Sequence, residues 1–211
     1  ASDVYKRQPK EQVEKLIENH ITQAVTCKAK ALEYSEEAVR CGGTLKVHIK
    51  VDTGMSRLGY LVSGAHFESG VEGICEACRL PGLDAEGIFT HFAVSDEEDR
   101  ESRAYTREQF DLFTAVIEKA EEKLGRKFAL RHCANTGAVA YWPEMMLDMV
   151  RPGLLLYGYG DGARRLGLRP VMRLMTSVST IKVYEPGTSV SYGRIFKTER
   201  TTRMLSLIHI S

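Results

Sequence analysis

Two hydrophobic periods take turns along this chain. Apolar residues at helical spacing cover Pro9 to about Asn19, with Val13, Leu16 and Ile17 on one face. Helices are also predicted over Lys28 to Cys41, Ser63 to Leu80, Arg103 to Leu124 and Thr136 to Tyr141. Gly42-Gly43 and Pro81-Gly82 close two of them. Between the helices lie short strand-like runs: Ile21 to Val25, Leu45 to Val51, Leu83 to Thr90, Ala129 to Cys133 and Met146 to Arg151. Such alternation predicts an α/β fold, a parallel sheet with right-handed crossovers. A closed barrel of this kind has eight strands, so the pattern predicts a partial (β/α)8 TIM-type barrel that lacks its beginning. After about Leu168 the helices stop. Val171, Leu174, Thr176, Val178, Thr180 and Val183 follow strand spacing, and the turn Glu185-Pro186-Gly187 leads to a further strand, Ser189 to Tyr192. This segment predicts the start of a mostly β second domain.

At 211 residues the chain is shorter than the ~250 of a complete barrel. Its 43% hydrophobic and 27% charged residues fit an ordinary globular protein with a sizeable core. A net charge of +1 gives no reason to expect nucleic acid or membrane as a partner. No apolar run approaches the ~20 residues of a membrane span, and the polar start has no leader-like apolar core. Five cysteines, an odd number, suit reduced thiols in a cytoplasmic protein.

Five strings carry more specific chemistry. The first is His48-Ile49-Lys50-Val51-Asp52-Thr53-Gly54-Met55-Ser56-Arg57-Leu58-Gly59, which places a lysine near a strand end and an arginine in the turn beyond it. At the carboxyl ends of barrel strands such cations face the active-site mouth and can hold an anion. The others are Gly87-Ile88-Phe89-Thr90-His91-Phe92-Ala93, His132-Cys133-Ala134-Asn135-Thr136, Val150-Arg151-Pro152-Gly153-Leu154-Leu155-Leu156-Tyr157-Gly158 and Val190-Ser191-Tyr192-Gly193. In this order and at these separations they resemble the alanine racemases, pyridoxal 5'-phosphate enzymes, over about Pro9 to Met204.

The resemblance implies roles. Arg151 would face the pyridine nitrogen of the cofactor; as a donor only, it would keep that nitrogen unprotonated and favour reprotonation of the substrate over transamination. Gly153 and Leu154 backbone N–H groups and the Thr136 hydroxyl would hold the phosphate, with Asn135 beside the cofactor and His132 close by. The family more often has serine where Thr136 stands. Tyr192 would be one of two bases, acting in the partner's site of a homodimer. A phenol is a poor base at neutral pH without a cationic network; His91, hydrogen-bonded to the phenol, and Arg151, bonded in turn to His91, would form it. Arg57 would bind the substrate carboxylate. Lys50 matches a lysine that is carbamylated in many members and steadies that arginine. Ser56 stands where the family has glycine and adds a β-carbon to a tight turn. The implied reaction is racemisation of L-alanine to D-alanine, a precursor of peptidoglycan. No metal is implied.

The same resemblance puts the Schiff-base lysine near the amino terminus of the family's barrel, upstream of every motif here. Neither Lys6 nor Lys10 has its surroundings. The expected organisation is a non-native extension over residues 1–8, a racemase-like barrel over 9–167, the start of a β domain over 168–204 and a second non-native extension over 205–211, with the chain alone inactive. Other readings are a racemase of serine or of a broader set of amino acids, a non-catalytic pyridoxal-phosphate carrier, and a related decarboxylase. A carrier would be single-domain, and a decarboxylase would have an acid in place of Arg151. Two further features are bland. Cys75-Glu76-Ala77-Cys78 lacks the second pair of ligands that zinc needs. Asp96-Glu97-Glu98-Asp99-Arg100-Glu101 suits a solvated loop and helix start.

Overall fold

The computed structural model describes residues 9–209 as two compact units, one extending to Arg169 and one starting at Pro170. In the first, helices and strands alternate: α1 (Val13–Glu18), β1 (Gln23–Val25), α2 (Lys28–Arg40), β2 (Leu45–Asp52), β3 (Tyr60–Leu61), α3 (Phe67–Cys78), β4 (Leu83–Phe89), α4 (Arg100–Leu124), β5 (Leu130–His132), α5 (Thr136–Tyr141) and α6 (Asp161–Arg165). The main strands pair in chain order, β1-β2-β4-β5, and every pairing is parallel. Short β3 pairs with the end of β2. This is the arrangement of successive barrel strands.

Strand β2 sorts its side chains by parity. Leu45, Val47, Ile49 and Val51 are fully buried and join the helices' apolar residues, among them Tyr34, Ile74 and Phe113, in one core. Lys46, His48, Lys50 and Asp52 occupy the alternate positions, so the other face of the strand is polar along its whole length. Most barrels fill that face with branched apolar residues. Strand β4 departs from regular pairing at one place. Val47 pairs with Ala85 and His48 with Gly87, which leaves Glu86 as an extra residue, a β-bulge.

Helix α4 starts where the acidic run ends. Asp99 caps it, accepting a hydrogen bond from the Ser102 N–H at 2.9 Å. Gly125, in the left-handed conformation, ends it.

One predicted strand is not there. Met146 to Arg151 runs beside β5 and its extension, bonded by Asp148 N–H to Arg131 carbonyl and Arg151 N–H to Ala134 carbonyl, without a regular ladder. The Asp148 carboxylate takes the Arg131 N–H at 2.9 Å and grips its guanidinium. Pro152 follows at once and has no N–H to give.

The second unit holds two antiparallel ribbons: β6 (Thr176–Tyr184) with β9 (Thr202–His209), and β7 (Ser189–Val190) with β8 (Phe196–Lys197). Residues 171–175 stay outside the strand. The strand expected to reach Tyr192 stops at Val190, because Ser191 turns to a φ of +61°. Leu205 to His209, assigned above to a non-native tail, pairs with β6. Residues 1–8 lie outside the described part. Among the described residues no helix is long and apolar enough to cross a membrane.

Candidate active site

The carboxyl ends of β2, β4 and β5 gather the basic residues singled out above. Lys50 is 6% exposed; its Nζ donates to the Val51 carbonyl at 2.9 Å and sits 5.3 Å from the centre of the Phe89 ring. Arg151 lies over the same ring, also at 5.3 Å. Its guanidinium meets His132 Nδ1 at 2.5 Å and His91 Nδ1 at 3.4 Å, and donates to the Thr90 and Cys133 carbonyls at 2.8 and 3.4 Å. Phe89 stacks on His132 with its ring nearly parallel.

These groups set one another's protonation. Burial, then Arg151 and Arg57, bring Lys50 down to about 7, with Asp52 pulling the other way. Burial, with Arg151, Lys50 and Arg57 adding, brings His91 down to about 3. Burial and then Arg151 bring His132 down to about 2. At neutral pH both imidazoles are therefore uncharged. The site carries permanent positive charge on its arginines, with Lys50 poised between amine and ammonium, which suits an anionic ligand.

Arg57 is placed by the turn after β2. Asp52 Oδ1 accepts from the Gly54 and Ser56 N–H groups, both at 3.0 Å. Ser56 takes a φ of +56°, so its β-carbon sits in left-handed backbone. Gly59 admits no side chain: a β-carbon there would meet the Asp52 nitrogen at 2.7 Å.

The cofactor candidates also come together. Thr136 opens α5, and its hydroxyl is 3.8 Å from where a β-carbon of Gly153 would stand. Leu154 starts the turn that follows. Asn135 caps α5, its Oδ1 accepting from Ala138 N–H at 3.1 Å and Ser95 hydroxyl at 2.6 Å, while its Nδ2 donates to the Phe92 carbonyl at 3.4 Å. Tyr192 belongs to the second unit, in a tight turn with positive φ at Ser191, Gly193 and Arg194, and its side chain is 99% exposed.

The chain has relatives. The family profile described as "Alanine racemase, N-terminal domain" matches residues 4–161. The chain belongs to the alanine racemase family. It is 41% identical to the alanine racemase of Clostridium perfringens (strain ATCC 13124) over 198 residues, 92% of this chain and 49% of that protein. It is 42% identical to the alanine racemase of Desulfovibrio desulfuricans over 91% of this chain and 50% of that one. Among solved structures, the alanine racemase of Streptomyces coelicolor A3(2) superposes with a TM-score of 0.75 at 30% identity, over 94% of this chain and 52% of that chain. The alanine racemase of Clostridium difficile 630 does so with 0.73 at 34%, over 95% and 52%. The chain spans about half the length of the curated relatives it matches.

Gln109, His48 and Glu86, all part of this cluster, were not singled out by the sequence. Gln109, fully buried on α4, accepts the Ala93 N–H at 3.0 Å and donates to Thr53 Oγ1 at 3.3 Å and the His91 carbonyl at 3.4 Å. Thr53 in turn bonds Thr90, whose carbonyl holds Arg151. His48 Nδ1 lies 2.8 Å from His132 Nε2. Glu86 lies beyond His48, with its Oε1 3.6 Å from His48 Nε2. The polar alternation of β2 was a signal for His48. Nothing in the sequence marked the bulge that brings in Glu86. The cysteine pair is inert: Cys75 is buried, and burial pushes the Cys78 thiol up to about 12.

Proposed function

We propose that this chain is part of the barrel, with the start of the β domain, of a cytoplasmic pyridoxal-5'-phosphate-dependent alanine racemase that works as a homodimer and supplies D-alanine for peptidoglycan. The observation that carries the reading is Arg151. It is a permanent donor fixed by His132 and two carbonyls in an arginine- and lysine-rich site. A carboxylate there would instead accept from a protonated ring nitrogen and suit decarboxylation or transamination.

The residues fit the cofactor. Arg151 would face the pyridine nitrogen, and Thr136, Gly153 and Leu154 would hold the phosphate, with Asn135 ordering the start of α5 beside it. The bound cofactor supplies an acceptor for the electron pair left at the substrate α-carbon. Arg57 binds the alanine carboxylate through its fork. Lys50, brought down to about 7, offers a free amine at neutral pH. That amine adds to CO2 with release of one proton, and the resulting carbamate anion steadies Arg57 and relieves the repulsion between the cations. Tyr192 of one subunit holds or releases the α-proton on one face in its partner's site, and His91, uncharged, hydrogen-bonds the phenol. The second base is the upstream lysine.

The test uses the enzyme with that upstream lysine present. Tyr192→Phe should lower racemisation by roughly 10²–10⁴ while the protein still exchanges the α-hydrogen of one alanine enantiomer with deuterated solvent, without inverting it. Equal exchange of both enantiomers would overturn the two-base reading. Absence of any alanine racemisation by the unaltered enzyme would overturn the function.

A further inference from the structure

Behind Arg151 the site does not end. From its guanidinium a line of polar groups crosses the buried face of the sheet: His132, then His48, then Glu86. Three details show that the fold makes room for this line. Glu86 is the bulged residue of β4, an extra residue between the Val47–Ala85 and His48–Gly87 rungs, which brings it beside His48. Gly87 has no β-carbon where the His48 ring lies; one built there would sit 2.5 Å from the imidazole. Glu86 is itself held, accepting from Thr22 hydroxyl at 2.9 Å and Lys46 Nζ at 2.7 Å.

Proton counting gives the line a direction. Arginine donates and cannot accept. His132 Nδ1, facing it, must therefore be a bare acceptor, and the single proton of that neutral ring sits on Nε2. His132 Nε2 donates to His48 Nδ1, which must also be bare. His48 then carries its proton on Nε2, a buried atom with no hydrogen-bond partner in the structure, aimed at the Glu86 carboxylate 3.6 Å away. A shift of about 0.6 Å would complete that bond. All donors point from Arg151 to Glu86, so the positive end of the line is the guanidinium and the negative end is the acid. The charged groups around the line are Arg151, Lys50 and Asp148 at one end and Lys46 and Glu86 at the other.

We propose that Glu86 and His48 are positioning residues for Arg151: the acid anchors a one-way chain of donors that fixes both imidazole protons and, through them, the setting of the guanidinium. Without the acid, the buried Nε2–H of His48 faces no acceptor, a cost that competes with the demand of His132 for a bare Nδ1. The opposite tautomer turns its Nδ1–H against the His132 Nε2–H, and the line breaks at its middle. The consequence for racemisation rests on the proposed function; the proton arrangement does not.

The arrangement is read by nitrogen-15 NMR of the histidine rings in the 211-residue chain. His48 and His132 should both be neutral and Nε2-protonated at about pH 8, and His132 should gain no proton down to about pH 5. Glu86→Leu and Glu86→Ala, which leave no acceptor opposite His48 Nε2, should each give His48 mixed tautomers and speed rotation of the Arg151 guanidinium. Glu144→Gln, on the surface, should change nothing. An Nδ1-protonated His48 in the unaltered chain, or unchanged tautomers in both Glu86 variants, would overturn the proposal. In the enzyme carrying the upstream lysine, Glu86→Leu should lower kcat roughly tenfold, as loss of a supporting partner does, with KM for alanine nearly unchanged. Correct tautomers with an unchanged kcat would remove the catalytic part. Correct tautomers in an enzyme with no racemase activity at all would overturn the functional reading and leave the donor chain standing.

Discussion

Small residues decide the geometry of this site. Gly87 yields its side-chain space to His48, so Gly87→Ala should push the imidazole off His132 and destabilise the chain by about 1–3 kcal/mol. Its urea midpoint should fall, and the His48 tautomer should become mixed. Ser56 is the opposite case. Its φ of +56° strains a residue that has a β-carbon, and the turn is fixed from both sides by Asp52. Ser56→Gly should therefore stabilise the chain by about 1 kcal/mol, read as a higher urea midpoint. A fall in that midpoint would show that the serine side chain makes a contact that outweighs the strain.

Helix α4 works as a strut between two loops. Tyr105 donates to the Gly54 carbonyl at 2.8 Å, and Gln109, one turn further, ties Thr53 to the backbone around His91. The loop that carries Arg57 and the loop that carries His91 are thereby held by one rigid element. Gln109→Leu keeps the volume but leaves the Ala93 N–H and the Thr53 hydroxyl short of a partner. It should cost roughly 2–3 kcal/mol, and the Ala93 amide should exchange with solvent much faster. Slow exchange at Ala93 in that variant would mean that the loop holds itself. Helices of this kind were the most legible part of the sequence. Lys28 to Cys41 and Thr136 to Tyr141 match α2 and α5 almost residue for residue, because amphipathic spacing and glycine stops are local signals. Met146 to Arg151 misled because its apolar residues have strand spacing, whereas its backbone bonds are decided by Asp148 and Arg131, a contact between distant residues. Gln109 was invisible for the same reason: one polar residue on a long helix has no pattern until the loops are folded against it.

At the scale of the whole molecule, the buried bases set the pH dependence of stability. His91 and His132 titrate at about 3 and 2 in the folded chain and at 6.5 when exposed. Between those values the unfolded chain binds protons that the native state refuses, so stability falls as the pH drops below 6.5. For fully buried His132 the slope is roughly 1.4 kcal/mol per pH unit. Lys50 extends the trend upward. Its folded value of about 7 lies below the ordinary 10.5, so stability rises with pH across that interval. Cys78 and Cys133, pushed up to about 12 by burial, and Tyr60, also raised, reverse the trend above pH 9. The most stable point should therefore fall near pH 9, and Lys50→Met should flatten the rise between pH 7 and 9 in a series of urea titrations. A maximum below pH 7 would contradict this. The motif strings gave the cations of the site, but the sequence carried no measure of burial, so the neutrality of its histidines emerges only from the fold.

The bulge in β4 has a bearing on the length of the chain. Ala85 pairs with Val47 and Gly87 with His48, so the ladder on either side of Glu86 is already in phase. Removing that one codon would close the irregularity and leave Phe89 opposite Lys50 and Ile88 opposite Ile49, as they are now. The sheet could thus be written one letter shorter with every later side chain on its present face. Glu86 is a letter that strand pairing does not require, and a single-residue deletion separates what the sheet needs from what the site behind Arg151 uses.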